Sequence, residues 1–272
     1  MDIIQAIVYG AVQGFTEFLP ISSTAHLILL PWFMGWNDPG LAFDVALHLG
    51  TLVALLVYFR SDWIALTRSS FDLLRGRTRT SDPNARMVLF IVVATIPGAL
   101  AGLFFEDIIE GALRSPAVIS FTLIALALVL VAAERKGSRQ KSLDGISWLD
   151  AITVGIAQAV ALIPGVSRSG VTITAGLFRG MKREAAARFS FLLSTPIIAG
   201  AVAKQLLDIA SLGLTPDQTV PLLAGIVSAG IVGYASIAFL LRYLQTRNTF
   251  VFVYYRIALG LVVYLAFWSG IR

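Results

Sequence analysis

The chain has 272 residues, 57% of them hydrophobic and only 14% charged, with a mean hydropathy of +0.81 and a formal net charge of +5. Soluble domains carry about 25% charged residues, so the composition excludes an ordinary water-soluble fold, a disordered chain and, with no cysteine, a disulfide scaffold. The basic balance, which in a soluble protein would suggest a nucleic-acid partner, is expected here from basic loops on one side of a membrane, and no nucleic acid is expected.

The N-terminal Met1-Asp2-Ile3-Ile4 has no basic segment before the first apolar run and no cleavage site after it. It does not read as a signal peptide, and the apolar segments are expected in the mature fold. The first apolar region, about 3–36, is broken near its middle by Pro20-Ile21-Ser22-Ser23. Each half falls short of the about 20 residues a span needs. That pattern predicts a re-entrant helix–loop–helix hairpin, which lipid tolerates only where the irregular backbone is buried in protein or lines a wet cavity. Gln13 and Glu17 are four apart and share a helix face. An amide oxygen and a carboxylate are hard ligands suited to Mg²⁺ or Ca²⁺. After the break, Ser22 or Ser23 can cap the next helix, and His26 follows within a turn. A carboxylate, hydroxyls and an imidazole together suit activation of a nucleophile. His26 on its own reads as a buried, hydrogen-bonded histidine.

Three spans are predicted next, at about 41–59, 87–105 and 116–133. The first carries Asp44 and His48, four apart; they rank below the hairpins as site residues. A second interrupted region, about 146–178, is broken at Pro164-Gly165-Val166-Ser167-Arg168-Ser169. Backbone N–H groups at a helix N-terminus attract anions, an arginine fork binds phosphate oxygens in pairs, and the hydroxyls of Ser167, Ser169 and Thr172 complete an oxyanion cradle. Spans at about 189–210, 219–243 and 249–270 finish the chain. Ionisable groups at membrane depth are costly and mark function by default. Of those in the last three spans, Lys204 and Arg256 read as structural partners or headgroup anchors.

Loop charge orients these elements. Stretch 60–86 holds Arg60, Arg68, Arg75, Arg77, Arg79 and Arg86; 134–145 holds Arg135, Lys136, Arg139 and Lys141; 179–188 holds Arg179, Lys182, Arg183 and Arg188; 242–247 holds Arg242 and Arg247. The positive-inside rule places all four in the cytoplasm. The alternate loops are poor in positive charge: 106–115 sets Glu106, Asp107 and Glu110 against Arg114, and 211–218 has Asp217. The first hairpin then opens outward, the second inward, and both termini lie outside.

The two interrupted regions also match each other. Ala6-Ile7-x-x-Gly10-x-x-Gln13 recurs as Ala151-Ile152-x-x-Gly155-x-x-Gln158, and a serine follows nine residues later in both, at Ser22 and Ser167. One hairpin and three spans per half make the halves opposite in orientation. The expected fold is an all-α polytopic membrane protein with six transmembrane helices and two re-entrant helix hairpins in an inverted-topology repeat. It forms a single integral membrane domain over 1–272, with repeat 1 at about 1–135 and repeat 2 at about 146–272. Such repeats place their sites at broken helices near the bilayer midplane. One half of the site is acidic and metal-capable and the other an anion cradle, which suits a phosphorylated amphiphile.

Gln13-x-x-x-Glu17 with Pro20-Ile21-Ser22-Ser23-Thr24-x-His26 resembles the (E/Q)xxxE and PxSSTxH signature of the bacterial undecaprenyl-diphosphate phosphatases, the bacitracin-resistance BacA/UppP family. Pro164-Gly165-x-Ser167-Arg168-Ser169-x-x-Thr172 is similar to that family's PGxSRSxxT motif, and Phe43–Gly50 and Tyr255-Arg256 look family-like. The resemblance implies an integral membrane hydrolase of the bacterial inner membrane. It would release phosphate from undecaprenyl diphosphate, recycle the lipid carrier for envelope polymers, depend on a divalent metal and confer bacitracin resistance. It further implies Glu17 as the essential acid, with Gln13 beside it as metal ligand, Ser23 as candidate nucleophile and His26 as its rival or a proton shuttle. Arg168 would grip the diphosphate, helped by Ser22, Ser167, Ser169 and Thr172. Glutamine at 13 removes one charge from any metal site.

Two rivals stand beside this reading. Inverted repeats with broken helices are also a transporter design, so a polyprenyl-phosphate flippase could use the same anion site. A phosphatase of the PAP2 type needs a histidine six residues after its arginine; Thr174 stands there, and the two histidines, His26 and His48, both lie in the first half. Apolar faces look alike to lipid and to a second subunit, so a homodimer and a monomer are equally compatible with the sequence.

Overall fold

A computed structural model describes residues 1–78, 82–110, 113, 115–212 and 216–270. Arg79 and Arg114 of the loop-charge pattern lie outside the described residues, as do the side chains of Glu106, Asp107, Glu110 and Asp217. The chain forms eleven described α-helices: α1 Ile3–Phe18, α2 Ser23–Met34, α3 Leu41–Tyr58, α4 Arg60–Leu74, α5 Pro83–Glu110, α6 Pro116–Lys136, α7 Trp148–Val160, α8 Arg168–Phe178, α9 Arg183–Leu212, α10 Pro216–Thr246 and α11 Phe250–Trp268.

Five of these are long and apolar enough to cross a membrane by themselves: α5, α6, α9, α10 and α11. A sixth span arises when α3 is taken with α4, against which it bends by 81°. The protein is thus an all-helical, multi-pass membrane protein. Stretch 60–74, read from its charges as loop, is helical in the structure. Its Leu66 is buried in the core while Arg60 and Arg68 stay exposed, so an apolar stripe at helical spacing holds it to the bundle.

Both broken regions are helix pairs, α1–α2 and α7–α8, and both breaks are built the same way. Ser22 caps α2 and Ser167 caps α8, each with its hydroxyl accepting a backbone N–H of the first turn. Each sits at positive φ, 76° and 71°, a conformation that costs a non-glycine residue on the order of 1–3 kcal/mol. The proximal helices match as well: Asp2 with Gln5 makes a capping box on α1, and Ser147 with Asp150 makes one on α7.

Each hairpin docks chiefly on a span from the other half of the chain. The α1 helix packs on α10, and α7 packs on α5. Glycines at equivalent places permit this. A Cβ at Gly10 would lie 2.1 Å from the Gly225 carbonyl oxygen of α10, and one at Gly155 would lie 2.6 Å from the Ala94 Cα of α5. Close backbone approach through small residues is how helices associate where lipid offers no hydrophobic drive. The α9 helix runs through the middle: 67% of its spanning window is buried, against 22–39% for the other four.

Basic stretches meet at one end of the bundle. Glu134, buried at the end of α6, receives Arg139 and Arg183 and accepts the Thr249 hydroxyl at 2.9 Å. Asp150 receives Lys141 at 3.0 Å and Arg179 at 2.7 Å. Arg188 pairs with Asp62 at 2.8 Å, and Arg86 donates to the Asp144 carbonyl at 3.1 Å. Stretches 60–86, 134–145 and 179–188 are therefore neighbours on one face, as their shared charge predicts.

Candidate active site

The site forms where the two breaks meet. Glu17 stands in the last turn of α1 with its side chain 3% exposed. Two of its partners are the first residues of the distal helices. Ser23, the first residue of α2, donates its hydroxyl to Glu17 Oε2 at 2.5 Å. Arg168, the first residue of α8, pairs with Glu17 Oε1 across 151 positions of sequence. Two helix N-termini thus converge on one carboxylate. Their unpaired N–H groups and positive dipole ends make a region that favours anions.

Two further groups complete the shell. Gln13 Nε2 donates to Glu17 Oε2 at 3.1 Å from one turn below, and Arg168 Nη1 reaches the Ser194 carbonyl of α9 at 3.4 Å. The fourth neighbour, His48 of α3, places Nε2 3.5 Å from Glu17 Oε2. Its Nδ1 donates to the Asp44 carbonyl at 2.8 Å, so a proton on Nε2 makes the contact an ion pair. Sequence alone placed His48 below the hairpins. The available signal was its membrane depth, one turn past Asp44.

The other predicted residues hold the breaks in shape. His26 Nδ1 donates to the Ser22 carbonyl at 2.7 Å, which leaves Nε2 of the neutral ring to accept the Tyr255 hydroxyl at 2.7 Å. His26 and Tyr255 also stack, with ring planes 10° apart. His26 is therefore one turn from Ser23 but bonded to neither Ser23 nor Glu17. Ser22 accepts the Ala25 N–H at 3.3 Å. Ser169 donates to the Leu19 carbonyl of the first break at 3.0 Å, while Ser167 caps Gly170 at 3.1 Å. The Thr172 hydroxyl lies 2.7 Å from the Arg168 carbonyl and 2.6 Å from Ser190 of α9. The structure brings Gln13, Glu17, Ser23 and Arg168 together and sets Ser22, His26, Ser167, Ser169 and Thr172 around them as backbone supports.

Arg256 of α11 lies against both breaks. It is 1% exposed, and it donates to Pro20 of the first break at 3.1 Å. From the second break it reaches Gly165 at 2.9 Å and Val166 at 3.1 Å, and from α6 Leu123 at 3.2 Å and Thr122 at 3.4 Å. All five acceptors are backbone carbonyls.

One observation bears on a metal. Gln13 Oε1 is buried with no hydrogen-bond partner, although the amide nitrogen of the same side chain is bonded to Glu17. A buried unpaired carbonyl oxygen beside a carboxylate fits a hard divalent cation. Mg²⁺ in particular takes one or two protein oxygens and fills the rest of its shell with water and substrate phosphate. Among the described residues no group of three or more His, Cys, Asp or Glu could hold a metal ion.

The fold and the site define a multi-pass membrane protein whose broken helices bring a serine–carboxylate pair against an arginine inside the bundle. Residues 6–262 match the family described as bacitracin resistance protein BacA, and the chain belongs to that family. A relative from Moorella thermoacetica is 50% identical over 98% of this chain and 99% of its own, and one from Thermomicrobium roseum is 50% identical over 97% and 98%. A third, from Geotalea daltonii, is 48% identical over 96% of each chain. All three carry the name undecaprenyl-diphosphatase.

Proposed function

We propose that the chain hydrolyses undecaprenyl diphosphate to undecaprenyl phosphate and inorganic phosphate. It thereby recycles the lipid carrier of envelope polymers and confers resistance to bacitracin. The observation that carries this reading is the Ser23–Glu17–Arg168 constellation inside a membrane bundle. The lipid tail can remain in the bilayer while its diphosphate enters between the two breaks.

Phosphoryl transfer is mostly positioning and neutralisation of charge on the transferred group. Arg168 and the N-termini of α2 and α8 supply preorganised positive charge for the phosphoryl oxygens. Substrate entry draws Arg168 from Glu17 to phosphate. The freed carboxylate then takes the proton of the nucleophile: either a water held by Ser23, which attacks the terminal phosphorus and expels undecaprenyl phosphate, or the Ser23 hydroxyl, which expels the same leaving group and forms a phosphoserine that water then hydrolyses to phosphate. Gln13 and Glu17 would hold Mg²⁺ or Ca²⁺, which would add Lewis-acid neutralisation of the diphosphate. Ser22, Ser167, Ser169 and Thr172 keep the two breaks shaped around the head group, and His26 braces the first through Tyr255.

The basic stretches face the cytoplasm of a bacterial plasma membrane, so both termini and the site opening lie on the outer side. The lipid diphosphate is the partner, and a homodimer is the assembly to test. Phosphate release by purified protein in detergent tests the activity. We expect Glu17→Gln, Ser23→Ala and Arg168→Ala each to lower kcat by about 10²–10³, the scale set by loss of one preorganised charge or donor, with the folded protein eluting as wild type. Wild-type rates in all three dismiss the site.

A further inference from the structure

We propose that Arg256 is the positioning residue that sets the spacing between the two breaks, and with it the register of Ser23 and Glu17 against the phosphate held by Arg168. The proposal rests on the reading of those three residues as the reaction centre.

Arg256 lies on α11, outside both hairpins, 236 residues from Pro20 of the first break and 91 from Gly165 of the second. It nonetheless donates to Pro20, three residues before Ser23, and to Gly165 and Val166, just before Arg168. A guanidinium presents five N–H donors in a rigid planar fork. Here the fork ends on five carbonyls, which also include Leu123 and Thr122 of α6. Among the described residues no carboxylate pairs with it. A charge held at membrane depth by carbonyls alone is expensive to bury. Its hydrogen bonds satisfy acceptors that the interrupted helices leave open. One rigid plane therefore measures the separation of the two breaks. Ser169 of α8, whose hydroxyl donates to the Leu19 carbonyl at 3.0 Å, adds a second link between the breaks. Gly170 makes room for the fork: a Cβ there would lie 3.0 Å from Arg256 Nη1. Lysine carries three donors on one freely rotating nitrogen, so it keeps the charge but cannot hold five carbonyls in the geometry of a planar fork.

The test uses the full chain in detergent with farnesyl diphosphate as substrate, comparing Arg256→Ala, Arg256→Lys and Glu17→Gln with wild type. Arg256→Lys keeps the buried charge and carries the test if the alanine variant does not fold. The expected result is a kcat lowered about tenfold or more with KM within about threefold, because Arg168 still grips the head group while the reacting atoms are misaligned. Added methylguanidinium should restore kcat in Arg256→Ala, a response that loss of global stability would not show. Wild-type kcat in a folded Arg256→Lys overturns the proposal, as does a loss confined to KM or a folded Arg256→Ala that ignores methylguanidinium. Glu17→Gln separates the two failures. If it retains wild-type rate, the reaction centre has been misread. If it is inactive while Arg256→Lys matches wild type, only the positioning role falls.

Discussion

At the scale of single residues, Glu17 organises the site because Ser23 of the first hairpin and Arg168 of the second both bond to its carboxylate. Its neighbours differ in what they can give up. Arg168 and Ser23 can turn to substrate, whereas Gln13 is fixed by its bond to Glu17 and keeps one oxygen unpaired. That oxygen leads to a prediction about metal. Chelation by EDTA should lower phosphate release by on the order of tenfold to a hundredfold, and added Mg²⁺ or Ca²⁺ should restore it. Gln13→Glu adds a carboxylate charge and should lower the metal concentration needed for half-maximal rate; Gln13→Leu should raise it. A metal titration of the three proteins checks both directions. Glu17 and the break serines were legible in the sequence because they sit in or beside a proline-marked interruption of an apolar run. His48 was not, since nothing local to Asp44-x-x-x-His48 says which helix it will face.

At the scale of elements, the two hairpins share their serine caps, their capping boxes and the placement of a glycine. Gly10 and Gly155 are equivalent positions on α1 and α7, and each lets its helix touch the backbone of a span from the other half. Gly10→Val should therefore force α1 away from α10. Overpacking of this kind costs about 1–3 kcal/mol, which corresponds to about 2–4 °C of melting temperature per kcal/mol in a chain near this size. Gly200→Ala is the control, because a Cβ there meets nothing within 4 Å. It should leave melting unchanged or raise it slightly through helix propensity. Thermal unfolding in one detergent distinguishes the two. The breaks were readable because a proline and a serine cap punctuate each of them. The α4 helix was not, because its arginines dominate a simple count of charge and hide the stripe that docks Leu66.

At the scale of the whole molecule, the gathering of basic stretches at one end predicts the topology. The chain has no cysteine, so single cysteines report accessibility without background. Asn37→Cys should react with an impermeant maleimide from outside intact cells, and Gln140→Cys only after the membrane is opened. Both positions are exposed on opposite sides of the proposed arrangement. The reverse pattern would invert the protein and the side on which its site opens.

What the sequence determined by itself is what short-range physics controls: the apolar spans from length and hydropathy, two interrupted segments from proline and serine caps, and the candidate groups from their rarity at depth. What only the tertiary structure decided is which of these meet. Glu17 and Arg168 are 151 residues apart, and Arg256 lies further still from Pro20. Their encounter depends on each hairpin docking into the opposite half through close backbone contacts at small residues, Gly10 on Gly225 and Gly155 on Ala94. Such docking leaves no periodicity and little composition bias in the chain, because every partner helix is equally apolar. The same reason hid the roles of His48 and Arg256: a polar residue on an apolar helix announces that it has a partner, and only the packing says which.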